Sequence, residues 1–117
     1  MPEERITNAV TGGEKGRKPQ RFELMPMGAL ATVAEVYGFG AEKYADHNWR
    51  KGYDWSLSLG AALRHMASFV DGEDLDPESG LPHPAHAAFH MLAVLTFMVE
   101  HPELDDRVRT TLGIPPP

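Results

Sequence analysis

From Pro84 to Val99 the chain carries no Asp, Glu, Lys or Arg, and beyond His90 it is apolar on nearly every side: Met91, Leu92, Ala93, Val94, Leu95, Phe97, Met98 and Val99 follow in close succession. A helix that is apolar all round must be covered all round. The longest uncharged apolar run, Ala87 to Val99, is shorter than the ~20 residues that cross a bilayer, so the cover has to be protein. Pro84 fits the first turn of such a helix without losing a hydrogen bond, which predicts a helix from Pro84 to about Glu100.

Two amphipathic segments precede it. Leu30, Val33, Ala34, Tyr37, Ala41 and Tyr44 recur at helical spacing and predict a helix over Pro26 to Tyr44, weakened at Gly38 and Gly40, where a kink or a close helix contact is expected. Ser56 is a suitable N-cap for a second helix whose stripe is Leu59, Ala62, Leu63, Met66 and Val70. Pro102 can open a short fourth helix through Leu112. The expected fold class is therefore all-α: three main helices plus a short C-terminal helix, with no strand-period segment of useful length. Two helices cannot easily cover the third, so the bundle is expected to be completed by oligomerisation, as a dimer or tetramer. Residues 1–21, rich in Gly, Lys and Arg, read as a flexible basic arm, 22–113 as a single helical domain and 114–117 as a proline tail.

A length of 117 residues suits one domain. Eleven Lys and Arg against seventeen Asp and Glu give a net charge of -6, which argues against a protein that coats a nucleic-acid polymer. The lack of cysteine removes disulfides, thiolate zinc sites and a cysteine nucleophile, leaving His and carboxylate chemistry and fitting the cytoplasm. The polar start cannot serve as a secretory apolar region, and no membrane partner is expected.

The densest chemistry lies between the second and third helices. Asp71, Glu73, Asp74, Asp76 and Glu78 put five carboxylates in eight residues, followed by His83, His86 and His90 at offsets of three and four along one helical face. Such a loop either stays solvated or gathers around a cation. The EF-hand pattern fails, since counting from Asp74 puts Ser79 and Ala85 where glycine and glutamate are required. The histidines are either neutral members of a structural hydrogen-bond network or ligands, and His65 on the second helix is either a packed histidine or a further nitrogen. Glu35 and Glu42 share the face of the first helix away from its stripe, a position that suits solvent exposure or, in a closed oligomer, a meeting with the acidic loop. Arg64 can pair with Asp71 or present its guanidinium to phosphate. Trp49, Tyr53 and Trp55 are loop anchors or a stacking surface for a nucleobase.

Gly16-Arg17-Lys18-Pro19, Phe39-Gly40-Ala41-Glu42-Lys43-Tyr44, Asn48-Trp49-Arg50-Lys51-Gly52, Leu63-Arg64-His65, and Gly72-Glu73-Asp74 through Ser79-Gly80-Leu81-Pro82-His83 to His86 together resemble the phage family described as the N-terminal domain of dATP/dGTP diphosphohydrolase, over roughly residues 14–100. The resemblance implies a link to the all-α MazG-like nucleotide pyrophosphohydrolases, which split a nucleotide into monophosphate and pyrophosphate with a divalent metal. Those enzymes hold metal on Glu-Glu-x-x-Glu and Glu-x-x-Asp; the corresponding places here read Arg64-His65-x-x-Ser68 and His83-x-x-His86. On this basis the expected function is hydrolysis of purine (deoxy)nucleoside triphosphates in phage nucleotide-pool metabolism, in the host cytoplasm. The alternative is a non-catalytic helical oligomer that binds a nucleotide or protein partner. The expected metal ligands are Glu73, Asp76, His83 and His86; the catalytic candidates are Glu35, Glu42 and His65; the substrate-binding candidates are Lys43, Asn48, Trp49, Lys51 and Arg64. The metal would be Mn2+ or Mg2+, or Zn2+, and a mixed nitrogen and oxygen set suits manganese or zinc better than magnesium.

Overall fold

The computed structural model describes residues 3–108. Three helices dominate: α1 (Met27–Lys43), α2 (Trp55–Val70) and α3 (His83–Glu100). α3 lies between the other two, packing on α2 along one side and on α1 along the other. The core is small. Trp55, Ala93, Val94 and Phe97 form its buried centre, with Trp49, Tyr53, Leu59 and Leu104 against it. Phe97 is fully buried, and burial of a side chain of that size contributes about 2–3 kcal/mol.

The chain is mostly helical, but not wholly. Glu4–Thr7 and Glu14–Arg17 form an antiparallel hairpin, β1 and β2, in the register Glu4 to Arg17 and Thr7 to Glu14. Its turn is set by Asn8, whose Oδ1 accepts the N–H groups of Val10 and Thr11 at 2.9 Å, and by Gly12 at a φ of 74°. No strand was expected there because nothing alternates between apolar and polar. The strands stay largely exposed, and charges pair across them, Arg5 with Glu14 and Arg17 with Glu4.

Five expectations about the helices need correction. The buried face of α2 is Trp55, Ser58 and Ala62, while Leu63, Met66 and Val70 face outward at 63, 53 and 82% exposure. Ser56 does not cap α2: the helix starts at Trp55, and Ser56 donates its hydroxyl and its N–H to the carboxylate of Asp106. The short C-terminal helix is one 3-10 turn, Pro102–Leu104, and its expected extension past residue 108, like the proline tail, lies outside the described residues. On α1 the buried residue is Val36, outside the stripe read from the sequence. Gly38 and Gly40 make no close helix contact: a Cβ at either would meet nothing within 4 Å.

The tryptophan loop is pinned to the end of α3. Trp55 Nε1 donates to the His101 carbonyl at 3.1 Å, and His101 Nε2 lies 3.0 Å from the Arg50 carbonyl. No described helix is long and apolar enough to cross a membrane.

Candidate functional site

The connector between α2 and α3 is a tied turn rather than a loose acidic loop. Leu75 and Pro82 form a β-bridge, Asp76 N–H donates to the Leu81 carbonyl, and His83 N–H donates to the Asp74 carbonyl. Gly80, at a φ of 72°, lets the chain double back. That turn sends one of the five carboxylates inward, Asp76, and leaves Asp71, Glu73, Asp74 and Glu78 exposed, with Glu73 still reaching His83.

His83 is the first residue of α3, 3% exposed, and it is held at both nitrogens. Its Nε2 lies 2.6 Å from Glu73 Oε1, and its Nδ1 lies 2.8 Å from His65 Nδ1. A carboxylate only accepts, so His83 carries a proton on Nε2. One turn further on, His86 stacks on His65, ring centroids 4.5 Å apart and nearly parallel. Ser79 Oγ accepts the Leu81 N–H and lies 2.6 Å from His86 Nε2. Burial, before any other cause, lowers the pKa of His65 and of His86, and their neighbouring imidazoles add to it. Burial alone would raise the pKa of Asp76; hydrogen bonds from Ser79, then the nearby His86 and His65, outweigh it and leave the carboxyl below its ordinary value. His65 and His86 are therefore neutral beside an ionised Asp76 at pH 7.

Donor atoms of His65, Asp76 and His83 all lie within 4.8 Å of one another. This donor set, two nitrogens and a carboxylate, fits a divalent cation of intermediate softness. Of the four ligands expected from sequence, Asp76 and His83 belong to this group, and His65 joins them as a donor. Glu73 instead grips the far nitrogen of His83, the place of an orienting carboxylate. His86 sits beside the group, its Nε2 3.9 Å from Asp76.

The cluster opens into a cavity of about 730 Å³ between α1, α3 and the tryptophan loop, lined by His65, Asp76, His86 and His90 at one side and by Tyr37, Trp49 and Phe89 at the other. The three aromatic rings meet edge to face, with centroids 4.7–6.3 Å apart. Gly38 and Gly40 also face the cavity, which explains two glycines within a helix: side chains there would occupy it.

Lys43, Asn48 and Trp49 line this cavity, and Lys43 pairs with Glu78 at 2.7 Å. Lys51 and Arg64 are exposed and lie outside the lining, as are Glu35 and Glu42 on α1. The second cation at the cavity is Arg50, stacked 4.8 Å over the Trp49 ring, which sequence reasoning passed over for its neighbour. Ser58, fully buried between Tyr53 and His90, was also missed. The signal was present, since Trp55, Ser58, Ala62 and His65 are spaced three, four and three apart and place a serine on the buried face.

Fold and site together define a small, mostly helical domain in which histidines and a carboxylate converge at the side of an aromatic-walled cavity. The family described as "dATP/dGTP diphosphohydrolase, N-terminal" matches residues 9–107, and the chain belongs to it. A protein of Salmonella phage PMBT28 named dATP/dGTP diphosphohydrolase is 35% identical over 102 residues, which cover 87% of this chain and 34% of that protein. The chain thus spans about a third of that relative's length. No solved structure matches it.

Proposed function

We propose that the chain is a metal-dependent hydrolase of purine deoxynucleoside triphosphates that releases monophosphate and pyrophosphate, works as a homo-oligomer and serves phage nucleotide metabolism in the host cytoplasm. The observation that carries this reading is the convergence of His65, Asp76 and His83 beside the aromatic-walled cavity, whose volume suits a nucleotide. His65, Asp76 and His83 would hold the cation, with Glu73 orienting His83 and His86 held alongside by Ser79. A bound divalent ion would supply an acidified water and offset charge on the departing pyrophosphate. Trp49, Tyr37 and Phe89 offer flat surfaces to the purine, while Lys43, Arg50 and Asn48 are placed to meet phosphate and sugar. Glu35 and Glu42 have no place in the cavity of one chain; a base at either position requires a second copy. A MazG-like ancestry is part of this proposal, with nitrogen donors taking over places those enzymes give to carboxylates.

The test is hydrolysis of each dNTP by the purified protein, with and without manganese, read as monophosphate and pyrophosphate. The expected result is manganese-dependent pyrophosphate release from dATP and dGTP, reduced at least about 100-fold in Asp76→Asn and in His83→Ala. Absence of release from either purine nucleotide overturns the reading. One observation favours the non-catalytic alternative: the facing nitrogens of His65 and His83 already satisfy one another at 2.8 Å. On that alternative the protein takes up no manganese in calorimetry, and the same titration separates the two.

A further inference from the structure

Ser58 is fully buried on a face of α2 that otherwise carries Trp55 and Ala62, and neither the cation group nor the aromatic wall uses it. A hydroxyl in such a place is costly unless it is hydrogen-bonded. Its Oγ lies 2.6 Å from the Tyr53 hydroxyl and 2.9 Å from His90 Nδ1. Serine has a single proton to give, so it donates to one neighbour and accepts from the other, and the chain of bonds has a direction. A phenol is the more acidic hydroxyl, and its ring-conjugated oxygen is the weaker acceptor, so the direction runs from Tyr53 through Ser58 to His90. Nδ1 of His90 then accepts, and the proton of the neutral ring sits on Nε2. That atom has no hydrogen-bond partner among the described residues, yet it is not one of the sealed, unpartnered atoms, and His90 lines the cavity. Its N–H therefore opens into the space where a ligand would lie.

We infer that Tyr53, Ser58 and His90 form a directed hydrogen-bond relay that fixes His90 as the Nε2–H tautomer and offers this N–H to an acceptor atom of the nucleotide in the cavity. The inference rests on the proposed function for its ligand alone; the tautomer follows from the geometry. It also separates His90 from its neighbours. With Nδ1 engaged and Nε2 protonated, His90 has no lone pair for a cation, whereas His65 and His83 each place a ring nitrogen within 4.8 Å of an Asp76 oxygen. Tyr53 and Ser58 are positioning residues, and His90 is the group that touches the ligand.

Long-range proton–nitrogen spectra of histidine-labelled protein, with His90 assigned by its loss in His90→Gln, read the tautomer directly. The expected spectrum shows a protonated Nε2 and a bare Nδ1. Ser58→Ala and Tyr53→Phe are each expected to mix the tautomers of His90 and to weaken binding of α,β-methylene dATP about tenfold in calorimetry, the effect of one neutral hydrogen bond. Should Ser58→Ala fail to fold, Tyr53→Phe, which removes one half-buried oxygen, decides alone. A proton on Nδ1 in the unaltered protein overturns the inference, and so does an unchanged affinity in a variant whose tautomers have mixed. A protein that binds no nucleotide but keeps the Nε2 proton supports the relay and overturns the proposed function, so the two fail separately.

Discussion

Burial, reinforced by the nearby His65 and His86, pushes His90 from the ordinary imidazole value of 6.5 down to about 4. Between those values the unfolded chain binds a proton that the folded chain refuses, so unfolding takes up protons and stability rises with pH. The contribution of His90 is complete above about pH 6.5 and is lost as the pH falls toward 4, by up to about 3 kcal/mol. His65 and His86, lowered by the same cause, act in the same direction. Urea unfolding of the metal-free protein should therefore show a free energy that declines steadily from pH 7 to pH 4, with a shallower decline in His90→Asn; a free energy that grows on acidification contradicts this account. The pairing of His86 with His90 on one helical face was legible from their spacing. What each ring bonds to was not, because the partners, Ser79 and Ser58, come from a turn and another helix.

Among the elements, the tryptophan loop depends on one glycine. Gly52 has a φ of 91°, and a Cβ there would come within 2.9 Å of the His101 ring that holds the Arg50 carbonyl. Gly52→Ala should cost at least about 1 kcal/mol of stability in thermal or urea unfolding, since strain and collision add. Gly38→Ala should do the opposite, gaining up to about 1 kcal/mol, because the site is a helix interior with open space beside it. Equal effects of the two substitutions would refute this assignment. The positions of the three helices were readable from apolar periodicity and proline placement. The face that each buries was less so: on α2 the apolar stripe and the buried stripe are different sets, and only packing against α3 chooses between them.

At the level of the whole molecule, the expectation that α3 needs more cover than two helices provide matches the surface of a single chain. α1 and α2 flank it, but Met91, Leu95, Met98 and Val99 remain exposed, as do Leu63, Met66 and Val70 on α2. The accessible surface is 8764 Å², where a compact protein of this mass shows about 6300 Å². The radius of gyration is 18.9 Å against about 13 Å for a compact chain of this length. Such stripes, three and four residues apart on adjacent helices, are suited to antiparallel packing with a second copy. Light scattering after size exclusion should give at least twice the single-chain mass of 12.9 kDa, and Leu95→Lys combined with Met98→Lys should return it to one chain while retaining helical circular dichroism. A single-chain mass for the unaltered protein at micromolar concentration removes the oligomer from the proposed function.

Local patterns in the sequence determined the three main helices to within a few residues, the need for a covering surface and the nearness of histidines to acids, because helix periodicity, proline and side-chain spacing act over a few residues. Tertiary structure alone decided which carboxylate turns inward, that His65 rather than Glu73 joins Asp76 and His83 in the candidate cation group, that Arg50 rather than Lys51 borders the cavity, and that charged strands pair in the arm. Those outcomes depend on groups brought together from distant positions, and on a turn whose direction is set by backbone hydrogen bonds that side-chain patterning does not encode.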